Sequence, residues 1–312
     1  MPATAIDMAT TVGALQQQER TVETLFDAAT PSVVYITSLV QKIDRLTMNA
    51  VEVPAGTGSG FVWDTDGHIV TNYHVIKGAR GAKVGLTSSD GRTSTYDAKL
   101  VGYNPDKDVA VLQIDSGRAL TPIPVGASKA LRVGQTTLAI GNPFGLDHTL
   151  TVGVVSGLGR EVTSPSGRPI TNVIQTDAAI NPGNSGGALL DSSGKLIGMN
   201  TAIFSPSGAS AGIGFAIPVD TLRYQVNTII RDGKVERPAL GISYLSAAQA
   251  RPLGVTRGVL LLDVPPNSEA SNAGLRGSSR SADGSVVLGD VILGINAYTV
   301  DTDLDLFRAI DK

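Results

Sequence analysis

The stretch Asp177–Leu190, DAAINPGNSGGALL, sets a serine among glycines, and it is the part of the chain best equipped for covalent chemistry. A serine hydroxyl attacks an acyl carbon when a base takes its proton and donors receive the oxyanion that forms. Gly183-Asn184-Ser185-Gly186-Gly187 meets the second need. Glycine on both sides lets the backbone turn tightly, so the N–H groups of Gly183 and Ser185 can point into one small hollow with no side chain in the way. For the base the chain offers three histidines, His68, His74 and His148, and all precede Ser185. His74 follows the apolar segment HIVTNY, where a strand end can hold an imidazole toward a cleft. His68 follows Asp66-Gly67 in a turn and is expected to be solvated, and His148, in NPFGLDHTL, is expected to be structural. Asp108, in NPDKDVAVLQI, immediately precedes an apolar run, so it can sit partly buried at a strand end and orient the imidazole. Asp106, the rival acid, is expected at the loop tip, screened by water.

Gly183–Gly187 also matches G-x-S-x-G, the nucleophile elbow of α/β-hydrolases, but that fold needs its acid and then its histidine after the serine. No histidine follows Ser185, so the esterase reading fails. The order His74, Asp108, Ser185 is that of the chymotrypsin-like proteases, in which the first two groups belong to one barrel and the serine to the next.

The elements that must hold these groups agree. From Ser32 to Ile217, short runs such as SVVYITSL, HIVTNY, VAVLQI, TTLAIG, NVIQTD and GIGFAIP alternate with Gly, Asp, Asn and Pro. Ten to twelve such strands with no long helix between them predict antiparallel barrels. Before them, residues 14–29 carry Leu15, Val22, Leu25, Phe26 and Ala29 at helical spacing, stopped by Pro31, and residues 40–55 read as a long loop. After them, Pro218 opens a helix with Leu222, Val226, Ile229 and Ile230 on one stripe and Gly233 as its C-terminal glycine. The expected organisation is a flexible segment over 1–20, a protease domain over 21–233, a charged linker at 234–238 and a second, α+β unit over 239–312.

Composition narrows the field. The 312 residues are 42% hydrophobic and 17% charged, enough for a substantial core, and a net charge of −3 with no basic cluster offers nothing to nucleic acid. No apolar run approaches the ~18 residues of a membrane span. The absence of cysteine excludes disulfides and thiolate metal ligation, and points to an intracellular, organellar or periplasmic setting. The start, MPATAIDMATTVGALQQQER, has neither the basic nor the apolar region of a signal peptide and reads as a processed start.

TNYHVI, NPDKDVAVL, AIGNPFG, VIQTDAAINPGNSGGALL and GIGFAIPVDTL together resemble the HtrA/Deg serine proteases, from about Leu25 to the end of the chain. EVPAGTGSGFVWD, GNPFGLDHTLTVGVVSGL and IFSPSGASAGIGFAIP look most like the chloroplast Deg branch, with cyanobacterial relatives next. The resemblance implies a mainly β fold, two six-stranded antiparallel barrels followed by a C-terminal PDZ domain that stops short of its last two strands. It makes His74 the general base, Asp108 its orienting acid and Ser185 the nucleophile, with the amides of Gly183 and Ser185 as the oxyanion hole and Asn184 bridging them. Ile180 and Ile203 match positions of a shallow apolar S1 pocket, implying cleavage after small or medium aliphatic residues. Leu240-Gly241-Ile242 matches the PDZ carboxylate-binding loop. Asn142–Thr149, Arg160–Thr171, Ile180–Asn184 and Phe204–Gly212 match activation loops, and the N-terminal segment with Phe26 a homotrimer contact. The implied function is ATP-independent degradation of unfolded or damaged proteins, without metal or organic cofactor, in a chloroplast compartment (stroma or thylakoid lumen) or, alternatively, a bacterial periplasm or cyanobacterial envelope. The competing reading is a chaperone or peptide-binding scaffold with a dormant protease site.

Overall fold

The computed structural model describes residues 8–43, 50–88, 91–143, 145, 148–181, 183–203, 211–236 and 239–310. The chain divides into two units, Met1–Val235 and Glu236–Lys312, with the division inside the expected linker.

Unit 1 opens with α1 (Met8–Ala29), whose Val22, Leu25 and Phe26 pack against the core as their spacing predicts. The helix begins before the expected residue 14, so part of the expected lead-in is helical; the side chain of Leu15 lies outside the described residues. Then come β1 (Val33–Ile43), β2 (Ala50–Val62), β3 (His68–Thr71), α2 (Tyr73–Ile76), β4 (Gly81–Thr87), β5 (Thr93–Asn104) and β6 (Val109–Ile114). These strands close into an antiparallel barrel in the order β1-β2-β3-β6-β5-β4. β7 (Thr136–Gly141), β8 (Thr149–Thr163), β9 (Pro169–Thr176), β10 (Ala188–Asp191), β11 (Leu196–Ile203) and β12 (Gly214–Pro218) close a second barrel, β10-β11-β12-β9-β8-β7. α3 (Val219–Asp232) follows, buries Leu222, Val226 and Ile229, and ends at Gly233 in the left-handed region (φ 73).

The unbroken apolar runs of the strands follow from burial on both faces. Successive side chains of a strand point to opposite sides. Val34, Ile36, Val62, Ile69, Ala110 and Leu112 fill the first barrel, and Val155, Ile174, Leu189 and Ile197 fill the second. Their neighbours Val33, Phe61, Val70 and Val111 turn outward and meet Leu138, Ile140, Ala188 and Leu190 in one cluster that joins the barrels and includes the stripe of α3. An open antiparallel sheet with one wet face would alternate instead.

Two expectations need correction. Val40–Ala55 is not a loop where described: β1 runs to Ile43 and β2 starts at Ala50, with Val40 opposite Val53 and Gln41 opposite Glu52. Among the described side chains of this stretch none is buried, with Gln41 and Glu52 exposed, so it is the backbone pairing that marks the hairpin. Likewise most of Arg160–Thr171 is strand, since β8 continues to Thr163 and β9 begins at Pro169, joined by a turn in which the Ser164 amide donates to Arg168 O and the Gly167 amide to Ser164 O. Residues 44–49 and the bulk of Phe204–Gly212 lie outside the described residues.

Unit 2 contains β13 (Ser243–Tyr244), α4 (Ala247–Ala250), β14 (Val259–Asp263), α5 (Glu269–Asn272), β15 (Ser279–Arg280), β16 (Val286–Val287), β17 (Val291–Ile292), β18 (Gly294–Ile295), β19 (Tyr298–Thr299) and α6 (Asp303–Ile310). Its strands are shorter than the apolar runs predict. A sheet in the order β13-β14-β17 and helix α6 enclose a small core of Val259, Val300, Leu306 and Ala309, against which Tyr244 packs. The ring of Tyr244 meets Phe307 edge to face at 5.9 Å.

Candidate active site

His74 stands in the connection between β3 and β4, on the single-turn helix α2 that Asn72 leads into in extended conformation. Asp108 closes the turn from β5 to β6 in the left-handed region (φ 52), an uncommon conformation for a residue with a side chain. Its carboxylate accepts the His74 amide on Oδ1 at 2.9 Å and His74 Nδ1 on Oδ2 at 2.8 Å. Thr201 Oγ1 donates to Oδ2 as well, at 2.7 Å. The Asp108 carbonyl accepts the Tyr73 amide and Asn72 Nδ2. Five hydrogen bonds therefore fix a residue only 2% exposed, and offset the backbone conformation they impose. A carboxylate can only accept, so the imidazole donates from Nδ1 and keeps its basic lone pair on Nε2. The His74 side chain, 37% exposed, lines the cleft.

The rival groups are engaged elsewhere. His148 is buried and its Nε2–H donates to the Val33 carbonyl at 2.8 Å, the structural role expected. His68 is not solvated: at 9% exposure its Nδ1 meets Asp64 Oδ2 at 2.7 Å, because Asp64 folds back over the turn and also accepts the Asp66 and His68 amides. Asp106 is not left to water either. Its side chain is 17% exposed and pairs with Arg168, from the β8–β9 turn, at 3.4 Å.

Ser185 occupies the connection between β9 and β10, in a run of turns pinned bond by bond. The Asn184 amide donates to Asn181 O, Gly187 N to Asn184 O, and Gly186 N to Asn200 O. Asn184 does brace the loop, although through its own neighbours: Oδ1 accepts the Asn181 amide and Nδ2 donates to Ala179 O. Gly183 (φ 105) and Gly186 (φ 84) adopt the left-handed region, and a Cβ at Gly186 would lie 2.2 Å from the Ser59 carbonyl, so the glycines of this motif answer both strain and space. Among the described residues, the amides of Gly183 and Ser185 donate to no protein acceptor.

His74, Ser185, Gly183, Ile180, Asn181 and Thr201 line one cleft of about 340 Å³, completed by Gly56, Thr57 and Val75. Ile180 is 1% exposed, packed in the core of the second barrel, so it presents an apolar floor. Gly214 makes room for it, since a Cβ there would come within 2.5 Å of Ile180 Cγ1. Ile203 ends β11 opposite Gly214, and its side chain lies outside the described residues. Leu240, Gly241 and Ile242 belong to unit 2: Leu240 is exposed, Gly241 is left-handed (φ 64), and the segment leads into β13, an edge of its sheet. Ser59, Asn72, Thr71 and Thr201 are site residues that the motifs do not reveal. A lone Ser or Thr in a strand carries no signal of its own; membership of TNYH or GSGF could have raised Thr71, Asn72 and Ser59, and nothing in the sequence around Thr201 raises it.

A buried carboxylate, an imidazole it orients, a hydroxyl on the same cleft and two unspent amides form the set that acyl transfer requires. Comparison with known proteins points the same way. Residues 58–199 match the trypsin-like peptidase domain. The chain is 57% identical over 300 residues to the chloroplastic Protease Do-like 1 of Arabidopsis thaliana, covering 96% of this chain and 67% of that protein. It is 44% identical over 250 residues to the periplasmic serine endoprotease DegP of Escherichia coli, covering 78% and 49%. The solved HtrA-type protease AlgW with a decapeptide superposes with a TM-score of 0.68 at 35% identity, over 92% of this chain and 89% of that one. Paired barrels and sequence converge: the chain belongs to the HtrA/Deg family and is a serine endopeptidase.

Proposed function

We propose that Ser185 cleaves unfolded or damaged proteins through an acyl-enzyme, without ATP, metal or organic cofactor. The carrying observation is that Ser185 lines the same cleft as His74, whose ring Asp108 holds in the basic tautomer. His74 Nε2 takes the hydroxyl proton as Ser185 Oγ bonds to the scissile carbonyl carbon. The oxyanion is received by the Gly183 and Ser185 amides, and His74 then protonates the departing amine as the C–N bond breaks. Water, deprotonated by the same nitrogen, attacks the ester, and collapse returns the proton to Ser185 and frees the carboxylate product. The buried Ile180 floor supports cleavage after Val, Ile, Leu or Ala, since it offers a basic side chain no counter-charge, and we assign Ile203 to the same S1 pocket from the family resemblance alone.

Glu236–Lys312 is a PDZ-type module in this reading. The left-handed Gly241 beside Leu240 and Ile242 exposes backbone amides to a peptide carboxylate, and the edge strand β13 can take the peptide as an added strand. α1 serves homotrimer assembly, the segments Asn142–Thr149, Arg160–Thr171, Ile180–Asn184 and Phe204–Gly212 respond to an activating signal, and the compartment is chloroplastic, as for the Arabidopsis relative.

Casein cleavage with Ser185→Ala as the control tests the core of this. Wild type is expected to degrade casein and the variant to lose at least about 10³-fold in rate. If neither cleaves over the pH and temperature range of the assay while both suppress aggregation of an unfolding client, the chain is a holding chaperone and the protease reading falls.

A further inference from the structure

Ser59 lies in the first barrel, on β2, yet three of its four hydrogen bonds reach the second. Its amide donates to the Ser185 carbonyl at 2.9 Å. Its hydroxyl donates to the Gly183 carbonyl at 2.6 Å and accepts the Asn142 amide at 2.8 Å. The fourth bond, from Thr71 Oγ1 to its carbonyl at 2.7 Å, anchors it to the strand that leads to His74. The side chain is wholly buried. A hydroxyl has one proton to give, and here the Asn142 amide occupies the acceptor side, so that proton is committed to Gly183.

The consequence lies in the orientation of successive peptide planes. Carbonyl and N–H point in opposite directions across a trans peptide. The plane joining Gly183 to Asn184 is tied at Gly183 O by Ser59 Oγ, and at the other end by the Asn184 amide on Asn181 O. The plane joining Ser185 to Gly186 is tied at Ser185 O by Ser59 N, and at the other end by the Gly186 amide on Asn200 O. Between them is the plane that carries the Ser185 amide, with its carbonyl held by Gly187 N, so the amide itself is turned the opposite way. One residue therefore grips the peptides on both sides of the one whose N–H would receive the oxyanion. A plain stitch between barrels would need only backbone pairs. A buried hydroxyl committed to a carbonyl of the Ser185 loop sets an angle as well.

The surroundings of Ser59 leave it little freedom to shift. A Cβ on Gly58 would lie 2.7 Å from a methyl of Val75, the residue after His74, and one on Gly60 would lie 2.9 Å from the Val70 carbonyl. β2 is thus pressed against the elements bearing His74 at the very point where it grips the Ser185 loop.

We infer that Ser59 is a positioning residue for proteolysis, whose hydroxyl holds the Gly183–Ser185 backbone in the orientation that stabilises the oxyanion. The inference rests on the reading of Ser185 as nucleophile. It acts through the loop and touches no substrate, so its effect belongs in kcat.

The test compares wild type with Ser59→Ala and Ser59→Thr in the full chain, using casein turnover, inhibition by a valine-ended peptide boronic acid (whose tetrahedral adduct carries an oxyanion-like oxygen), and thermal melting. The expected result, assayed well below the melting point, is that Ser59→Ala lowers kcat roughly 10- to 100-fold, below the loss seen when an oxyanion donor itself is removed. KM stays within about twofold, boronic acid affinity falls in step with kcat, and Ser59→Thr, which keeps the hydroxyl, recovers most of the rate. A kcat for Ser59→Ala within twofold of wild type overturns the inference, as does a loss matched by the unfolded fraction or expressed in KM alone. Wild type that fails to cleave, or cleaves no faster than Ser185→Ala, instead removes the nucleophile reading beneath it.

Discussion

The two barrels share one strand order, β1-β2-β3-β6-β5-β4 and β7-β8-β9-β12-β11-β10, and they present His74 and Ser185 from the same place in it, the connections β3–β4 and β9–β10. Their local chemistry differs. The first barrel builds its half almost alone: His74 and Asp108 hold each other through amide and ring, and the second barrel adds Thr201. The second barrel's half is a chain of turns with glycine at the tight corners, and two of its carbonyls rest on Ser59 of the first. The same scaffold thus yields a self-supporting histidine–aspartate pair on one side and a serine loop braced from across the joint on the other. Topology brings the groups to one cleft; their neighbours set what each can do there.

Three experiments bear on that contrast. The largest effect is expected from Asp108→Asn, which keeps the shape but lets the residue donate to the imidazole and so favours the wrong tautomer. kcat should fall by about 10⁴-fold, measured on casein, with the melting temperature little changed. Retained activity would mean that His74 is oriented from the second barrel after all. Next is Phe61→Ala, on β2 but packed into the cluster shared with Leu138 and Ile140 of β7. It should cost about 3–5 kcal/mol and unfold both barrels in one calorimetric transition; two resolved transitions would show that the barrels are independent.

The smallest effect concerns Asp220 at the start of α3. Burial pushes its carboxyl upward, but the Ser128 hydroxyl, the Ser128 and Lys129 amides and Arg223 outweigh it and hold the group below the usual carboxylate range. Ser128 and Lys129 lie in the connection from β6 to β7, so this carboxylate straps the link between barrels. A lowered folded value means stability that is present above the unfolded value near pH 4 and is lost as pH falls below it. Asp220→Asn should therefore destabilise by on the order of 1 kcal/mol at neutral pH, with the gap from wild type closing toward pH 3 in urea unfolding. A gap independent of pH would assign the loss to packing.

His74, Asp108 and Ser185 were legible because chemistry constrains both their types and their order, and because each abuts an apolar run or a glycine cluster that announces its element. The barrels were legible for a similar reason, since strands buried on both faces read as unbroken apolar segments. What escaped has a common cause in contacts between segments distant in sequence. Ser59 and Thr201 matter through partners in the other barrel, and the outer part of the β1–β2 hairpin, where exposed Gln41 faces exposed Glu52, is marked only by backbone pairing. His68 was misread because its solvation depends on Asp64 curling over the turn, which the local string DTDGH does not disclose. In unit 2, strands of two residues fall below the length at which alternation can be recognised.

The left-handed backbone at Asp108 has a further consequence. Asparagine enters that corner about as readily as aspartate and keeps an oxygen for the His74 amide, whereas glycine would leave that amide, the imidazole and the Thr201 hydroxyl without their acceptor. Heat resistance is therefore nearly indifferent to an exchange for asparagine that is expected to abolish turnover. A lineage screened only for endurance would be free to relax the corner and fall silent, while remaining a well-formed pair of barrels.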